Sequence, residues 1–155
     1  LLDSISLEIL KILQEKARIP NIEVSRQVGL APSAVLERIR KMEKQGIIDG
    51  YEVRLNPEQF SHSQVAFIYV STHPGQSETV GQKLADIPEI QEVHFVTGRD
   101  CYLVKARIND TQSLGRLLQQ QITRIDGVVS TSTETVLFTV KETARIPLPD
   151  SIEGS

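Results

Sequence analysis

The sequence predicts an α+β protein: an N-terminal winged helix-turn-helix followed by a ferredoxin-like βαββαβ domain. Two patterns lead there. Apolar residues recur at helical spacing, broken by closely placed stop signals, over residues 1–46, and strand and helix patterns alternate in the order βαββαβ over residues 61–143. At 155 residues and 39% hydrophobic, the chain has enough apolar side chains for two small units. The expected organisation is a helical unit at 1–46, a strand linker at 47–60, the α+β unit at 61–143 and a C-terminal tail at 144–155.

In the first unit, Asp3 or Ser4 caps a helix whose Ile5, Ile9, Ile12 and Leu13 form one stripe, widened by Leu10. A short second helix is expected with Asn21 as its N-cap, Val24 and Val28 inward, and Gly29 as a left-handed stop. Pro32 suits the first position of a third helix, with Val35, Leu36, Ile39 and Met42 apolar and Gly46 as its stop. So tight a turn between the second and third helices is the helix-turn-helix arrangement, whose last helix lies in the major groove of DNA.

The helical wheel supports that reading. With Val35 at zero, Ile39 and Met42 fall within about 40° of it, while Ser33, Glu37, Arg40, Lys41 and Lys44 cluster at about 140–240°. The net charge of −3 hides this basic ridge. Residues 1–60 carry nine basic and nine acidic side chains, and residues 61–155 carry eight and eleven, so the acidic excess lies wholly in the second part. A solvated face of an ordinary surface helix has the same composition, and the preceding tight turn is what favours DNA. Residues 47–55 follow as an extended wing and linker, broken by Asn56-Pro57.

In the second unit, residues 65–70 are apolar at every position, so both faces of that strand need cover. His73-Pro74-Gly75 turns the chain into a helix with Val80, Leu84 and Ile87 inward, and a strand follows at 93–97. Beyond Gly98-Arg99-Asp100, a returning strand alternates Tyr102, Val104, Ala106 and Ile108. Asp110 caps a helix with Leu114, Leu118, Ile122 and Ile125 on one side, Gly127 ends it, and a last long strand is expected over 128–141. Both helices of a βαββαβ sandwich cover one sheet face, so the bare face calls for a second copy of the chain, and a homodimer is expected.

Taken in order, Leu2-Asp3, Gly29-Leu30-Ala31-Pro32-Ser33, the run from Leu36 to Glu43, Gly46-Ile47-Ile48-Asp49-Gly50-Tyr51, Val96-Thr97-Gly98, Tyr102-Leu103-Val104-Lys105 and Gly127-Val128-Val129 resemble the Lrp/AsnC family of leucine-responsive and asparagine-responsive transcription regulators. The resemblance spans about residues 2–143. It implies a sequence-specific regulator that binds double-stranded DNA as dimers or larger even-numbered rings and takes an amino-acid effector between dimers, and the composition, with neither a membrane span nor a signal segment, makes a cytoplasmic location the expectation. Three positions depart from the family pattern: Ala31 stands where a Ser N-cap is usual, Glu37 where many members carry Arg, and Cys101 where an acidic residue often follows the hairpin glycine.

On this basis the expected DNA-binding residues are Ser33, Ala34, Glu37, Arg38, Arg40, Lys41 and Lys44. Ser33, Ala34 and Glu37 approach base edges, Glu37 being suited to a cytosine amino group, and the four cations serve as phosphate clamps, with Arg38 and Lys41 also able to read guanine. The expected effector-binding residues are Gly98, Arg99, Asp100, Thr131, Ser132, Thr133 and Glu134. Gly98 permits an unusual turn with open amides, Arg99 takes a carboxylate, Asp100 takes an α-amino group, and the hydroxyl-rich strand supplies polar contacts that burial alone does not explain. A propensity-driven, solvated Thr-rich strand is the alternative for 131–134.

No catalytic residue, metal site or cofactor is expected. His62, His73 and His94 lack metal-ligand spacing, Cys101 is a lone thiol, and no phosphate loop is present. No apolar run nears the roughly 18 residues of a membrane span, and the N-terminus lacks a basic stretch followed by an apolar one. Two rival readings share the architecture. Siroheme decarboxylases resemble it too, which a Soret shift on adding siroheme tests, and a winged-helix protein-interaction module lacks the steep salt dependence of DNA binding.

Overall fold

The computed structural model describes residues 2–150, so Leu1 of the expected helical unit and residues 151–155 of the expected tail lie outside the described residues. The described residues divide into two compact units, one formed by residues 2–54 together with 142–150, the other by residues 55–141.

The first unit is built on α1 (Ser4–Glu15), α2 (Asn21–Val28) and α3 (Pro32–Lys44). Asp3 caps α1, its Oδ1 accepting from the Ser6 N–H at 2.8 Å. Ile9 and Leu10 of α1, Val24 of α2, and Val35, Ile39 and Met42 of α3 form one buried core. Expected as the N-cap of α2, Asn21 is instead its first residue; Pro20 holds the cap position in an extended conformation, its ring fixing φ at −63°, with no side-chain bond. Gly29 takes φ 74°, and Pro32 begins α3 two residues after Leu30.

Residues 47–55 form no strand, because no partner strand for them exists among the described residues. The start of this segment folds back on α3: the Ile47 and Ile48 amides both donate to the Met42 carbonyl, at 2.9 and 3.2 Å. The Tyr51 hydroxyl donates to Glu43 Oε1 at 2.8 Å. Burial, and then the adjacent Glu43 carboxylate, push the Tyr51 phenol up to about 12.

The second unit begins with a 3₁₀ turn, Pro57–Phe60, followed by β1 (Gln64–Thr72), α4 (Ser77–Ala85), β2 (Ile90–Val96), β3 (Cys101–Ile108), α5 (Thr111–Arg116) and β4 (Val128–Thr135). The four strands make an antiparallel sheet in the order β2-β3-β1-β4. Ala66, Ile68 and Val70 of β1 join Val104, Ala106 and Ile108 of β3 beneath Val80 and Leu84 of α4 and Leu114 of α5. This is the expected one-sided sandwich. The other sheet face, here called the open face, carries the alternate residues, among them Val65, Phe67 and Tyr69 of β1 with Leu103 and Lys105 of β3.

Two expected elements differ. The last helix does not run uniformly, since α5 continues as a wide π turn over Leu117–Ile122. The extra residue in that turn rotates Leu117 into the core, while Leu118 and Ile125 only pack partly against it. The last strand stops at Thr135 rather than Lys141, because its partner runs out: β1 starts at Gln64, and the final ladder contact is the Val136 amide donating to the Val65 carbonyl at 2.9 Å. Leu137, Phe138 and Val140 therefore emerge almost fully exposed, at 91, 79 and 90%.

Candidate DNA interface and effector site

Burial of Val35, Ile39 and Met42 fixes the rotation of α3, so the opposite side must face outward. Ser33, Glu37, Arg40, Lys41 and Lys44 are exposed there, and Ala34 is half-buried at the flank. Arg40, Lys41 and Lys44 have no ionic partner among the described residues. Ala31 is the N-cap of α3 and makes no side-chain bond; Pro32 has no N–H and the Ala34 amide donates to the Ala31 carbonyl at 3.0 Å, so the Ser33 amide is the first-turn donor left facing outward. A helix end of that kind, beside three free cations, suits a phosphate backbone.

Arg38 is placed differently from the other three cations. It lies between the core stripe and the ridge, where its Nη1 donates to Asp3 Oδ2 at 2.5 Å and to Ser6 Oγ at 3.1 Å. That hydrogen bond, followed by the one from the Ser6 amide, holds the Asp3 carboxyl down at about 2. Sequence reasoning assigned Asp3 only a capping role, since nothing local in the chain signals a partner 35 residues away.

In the second unit, residues 97–100 form the turn between β2 and β3. Gly98 is expected to supply the unusual backbone, yet its φ is not positive; Asp100 takes the left-handed conformation instead, at φ 51°. Aspartate tolerates that region because its short side chain bonds locally. Arg99 folds back so that its guanidinium lies 4.0 Å from the centroid of the Tyr69 ring, a cation–π contact.

Alternation splits the hydroxyl-rich segment between the two faces of the sheet. Thr131 and Thr133 pair with Val70 and Ile68 and are half-buried on the helix-covered side, whereas Ser132 and Glu134 pair with Tyr69 and Phe67 and are exposed on the open face. Because β4 is an edge strand, solvent reaches Ser132, so its hydroxyl does not by itself call for a ligand. Among the expected effector residues, the structure thus brings Arg99 and Ser132 to one neighbour, Tyr69. Tyr69 escaped the sequence reading, although it is the one residue in the 65–70 run with a polar tip.

Across the same face, Lys105 Nζ and Glu92 Oε2 lie 3.2 Å apart, and His94 Nε2 is 3.0 Å from Glu92 Oε1. Hydrogen bonds from His94 and then Lys105 hold Glu92 below the usual carboxylate range. Among the described residues, no three His, Cys, Asp or Glu side chains converge as a metal site requires, and no helix is long and apolar enough to cross a membrane.

A helix-turn-helix unit with an exposed basic face, joined to an α+β unit with a four-stranded antiparallel sheet, is the two-unit architecture of a DNA-binding transcriptional regulator. The comparisons agree. A winged helix-turn-helix DNA-binding model matches residues 2–49, and the Lrp/AsnC ligand binding domain model matches residues 65–146. The chain is 40% identical over 151 residues to the leucine-responsive regulatory protein of Escherichia coli K12, a match covering 94% of this chain and 90% of that one. Among solved structures, AsnC of E. coli superposes with a TM-score of 0.88 at 27% identity, over 95% of this chain and 99% of that one. A Neisseria meningitidis transcriptional regulator in complex with L-methionine gives 0.89 at 30% identity, over 95 and 97%. The chain belongs to the Lrp/AsnC family of transcription regulators.

Proposed function

We propose that this regulator reads DNA with α3 and does so as a homodimer, assembled further into an even-numbered ring, in the cytoplasm. The observation that carries the DNA contact is the rotation of α3: its core triad is buried and its three free cations are turned to solvent. Ser33, Ala34 and Glu37 approach base edges, with Glu37 accepting from a cytosine amino group, while Arg40, Lys41 and Lys44 clamp phosphates. The dimer is supported by the uncovered sheet face with its apolar Phe67, Tyr69 and Leu103, and by the exposed apolar residues that follow β4. Fluorescence anisotropy on duplex DNA tests the α3 contact. Combined Arg40→Ala and Lys41→Ala should weaken binding and lower the salt slope by about two per protomer; unchanged binding overturns it. Light scattering that shows a monomer at micromolar concentration overturns the dimer.

An amino-acid effector is the second part of the reading, favoured by the L-methionine held by the Neisseria relative. The proposed contacts lie where the Gly98–Arg99–Asp100 turn meets the open face: Asp100 holds the α-amino group, main-chain amides beside Gly98 and the Arg99 guanidinium hold the carboxylate, and Ser132 and Glu134 lie beyond Tyr69. Thr131 and Thr133, on the opposite face, support the strand from behind. Calorimetry against the twenty amino acids is the test, and no binding at millimolar concentration removes this part.

A further inference from the structure

Four cations lie on α3, but only three of them are free to meet DNA. The fourth, Arg38, has 31% of its side chain exposed and is already bonded to a carboxylate. That carboxylate cannot easily turn away. Asp3 Oδ1 is fixed by the Ser6 amide at the start of α1 while Oδ2 accepts a hydrogen bond from Arg38 Nη1, and the buried Ser6 hydroxyl accepts a second bond from the same nitrogen. The N-terminus of a helix also favours a negative charge, so the anion facing Arg38 is held in place before any nucleic acid arrives.

A phosphate that sought Arg38 would have to displace this built-in anion, one negative group for another. An Arg38 that stays on Asp3 neutralises no phosphate and so releases no counterion from the DNA, whereas each phosphate met by a free cation steepens the logarithmic salt dependence by about 0.9. We infer that Asp3 is a positioning residue that withholds Arg38 from DNA, so that the N-cap of α1 lowers sequence-independent attraction and thereby raises the discrimination of α3 between sites. This inference rests on the reading of α3 as the DNA-contacting helix. The helix-turn-helix then carries two classes of cation, three that attract the backbone and one spent on orienting α3 against α1.

The experiment uses the full-length protein, a random-sequence duplex, and a duplex enriched from a random pool by the wild-type protein. Asp3→Asn keeps a good N-cap while removing the charge. It should tighten binding to the random duplex by about 5- to 10-fold per bound protomer at 0.1 M salt, steepen the salt slope by about one per bound protomer, and narrow the preference for the enriched duplex. Arg38→Gln, which keeps a donor for Asp3 and Ser6, should leave the slope unchanged in the wild-type background and restore it in the Asp3→Asn background. Thermal melts confirm that each variant is folded; if Asp3→Asn is not, the Arg38→Gln slope alone decides. A slope lowered by about one in Arg38→Gln alone overturns the inference, as does an unchanged slope in a folded Asp3→Asn protein. Lys41→Ala separates the two readings: if it lowers the slope while the latch variants fail, only the latch is wrong, and if it also changes nothing, α3 is not the contacting helix and both fall.

Discussion

The side-chain amide of Gln14, on α1, bonds the backbone of Ile146 in both directions: Nε2 donates to the Ile146 carbonyl at 2.9 Å and Oε1 accepts from the Ile146 amide at 2.8 Å. One glutamine thus satisfies both main-chain groups of a residue in the segment expected as a tail, and Leu148, two residues on, packs against the helical core. The first unit is therefore closed by residues from both ends of the chain. Gln14→Glu loses the donor and sets a carboxylate against a carbonyl. It should speed hydrogen exchange at the Ile146 amide and lower the stability of the unit by about 1 kcal/mol. Asp150→Ala, which removes only the exposed Lys11 ion pair, should change stability by less than about 0.5 kcal/mol.

The Asp3 carboxyl, held near 2, gives a pH dependence with a definite sign. A folded-state value below the unfolded one near 3.8 means that the unfolded chain takes up protons first as pH falls. The stability that Asp3 contributes is complete above about pH 5 and is lost as the pH drops toward 2. Since Asp3 is half-exposed, solvent screening keeps the effect small. Acid titration of the melting temperature should fall less steeply between pH 5 and 2 in Asp3→Asn than in the wild type; parallel curves remove Asp3 from the acid response.

Gly81 on α4 lies against the hydroxyl end of Tyr102, and a Cβ built there would sit closer to the phenol than real Cβ atoms come. Tyr102 cannot swing aside freely, because Phe95 packs edge-on against it with ring centroids 5.2 Å apart. Alanine gains about 1 kcal/mol of helix propensity over glycine, and overpacking costs about 1–3 kcal/mol. The clash should win, with Gly81→Ala losing about 1–2 kcal/mol in a denaturant melt and a second change, Tyr102→Leu, recovering part of it. A more stable Gly81→Ala protein shows that the helix shifts to accommodate the methyl group.

The left-handed backbone at Asp100 dictates how its effector role should be tested. Alanine there would strain the turn as well as remove the charge, and the two effects could not be told apart. Asn tolerates the same backbone, so Asp100→Asn should keep the melting temperature while weakening any amino acid found to bind by about tenfold or more, the worth of a hydrogen bond between charged groups. Full affinity in Asp100→Asn places the α-amino contact elsewhere.

Local pattern in the sequence determines the helical core and the orientation of α3, since Val35, Ile39 and Met42 can be buried together only if Arg40, Lys41 and Lys44 face away. The βαββαβ order and the one-sided sheet are legible for the same reason: periods of 3.6 and 2 are properties of neighbouring residues. What the tertiary structure alone decides are relations between distant residues. Arg38 looks like its basic neighbours until Asp3, 35 positions earlier, is seen to hold it. The run 131–134 looks like a single polar surface, but pairing with β1 at a sheet edge sends Ser132 toward Tyr69 and Thr133 toward Ile68. The length of β4 is likewise set by where β1 begins, and the place of residues 142–150 by Gln14, 132 positions away from Ile146. Such contacts depend on which elements become neighbours in the fold, and no periodicity within a single segment encodes that.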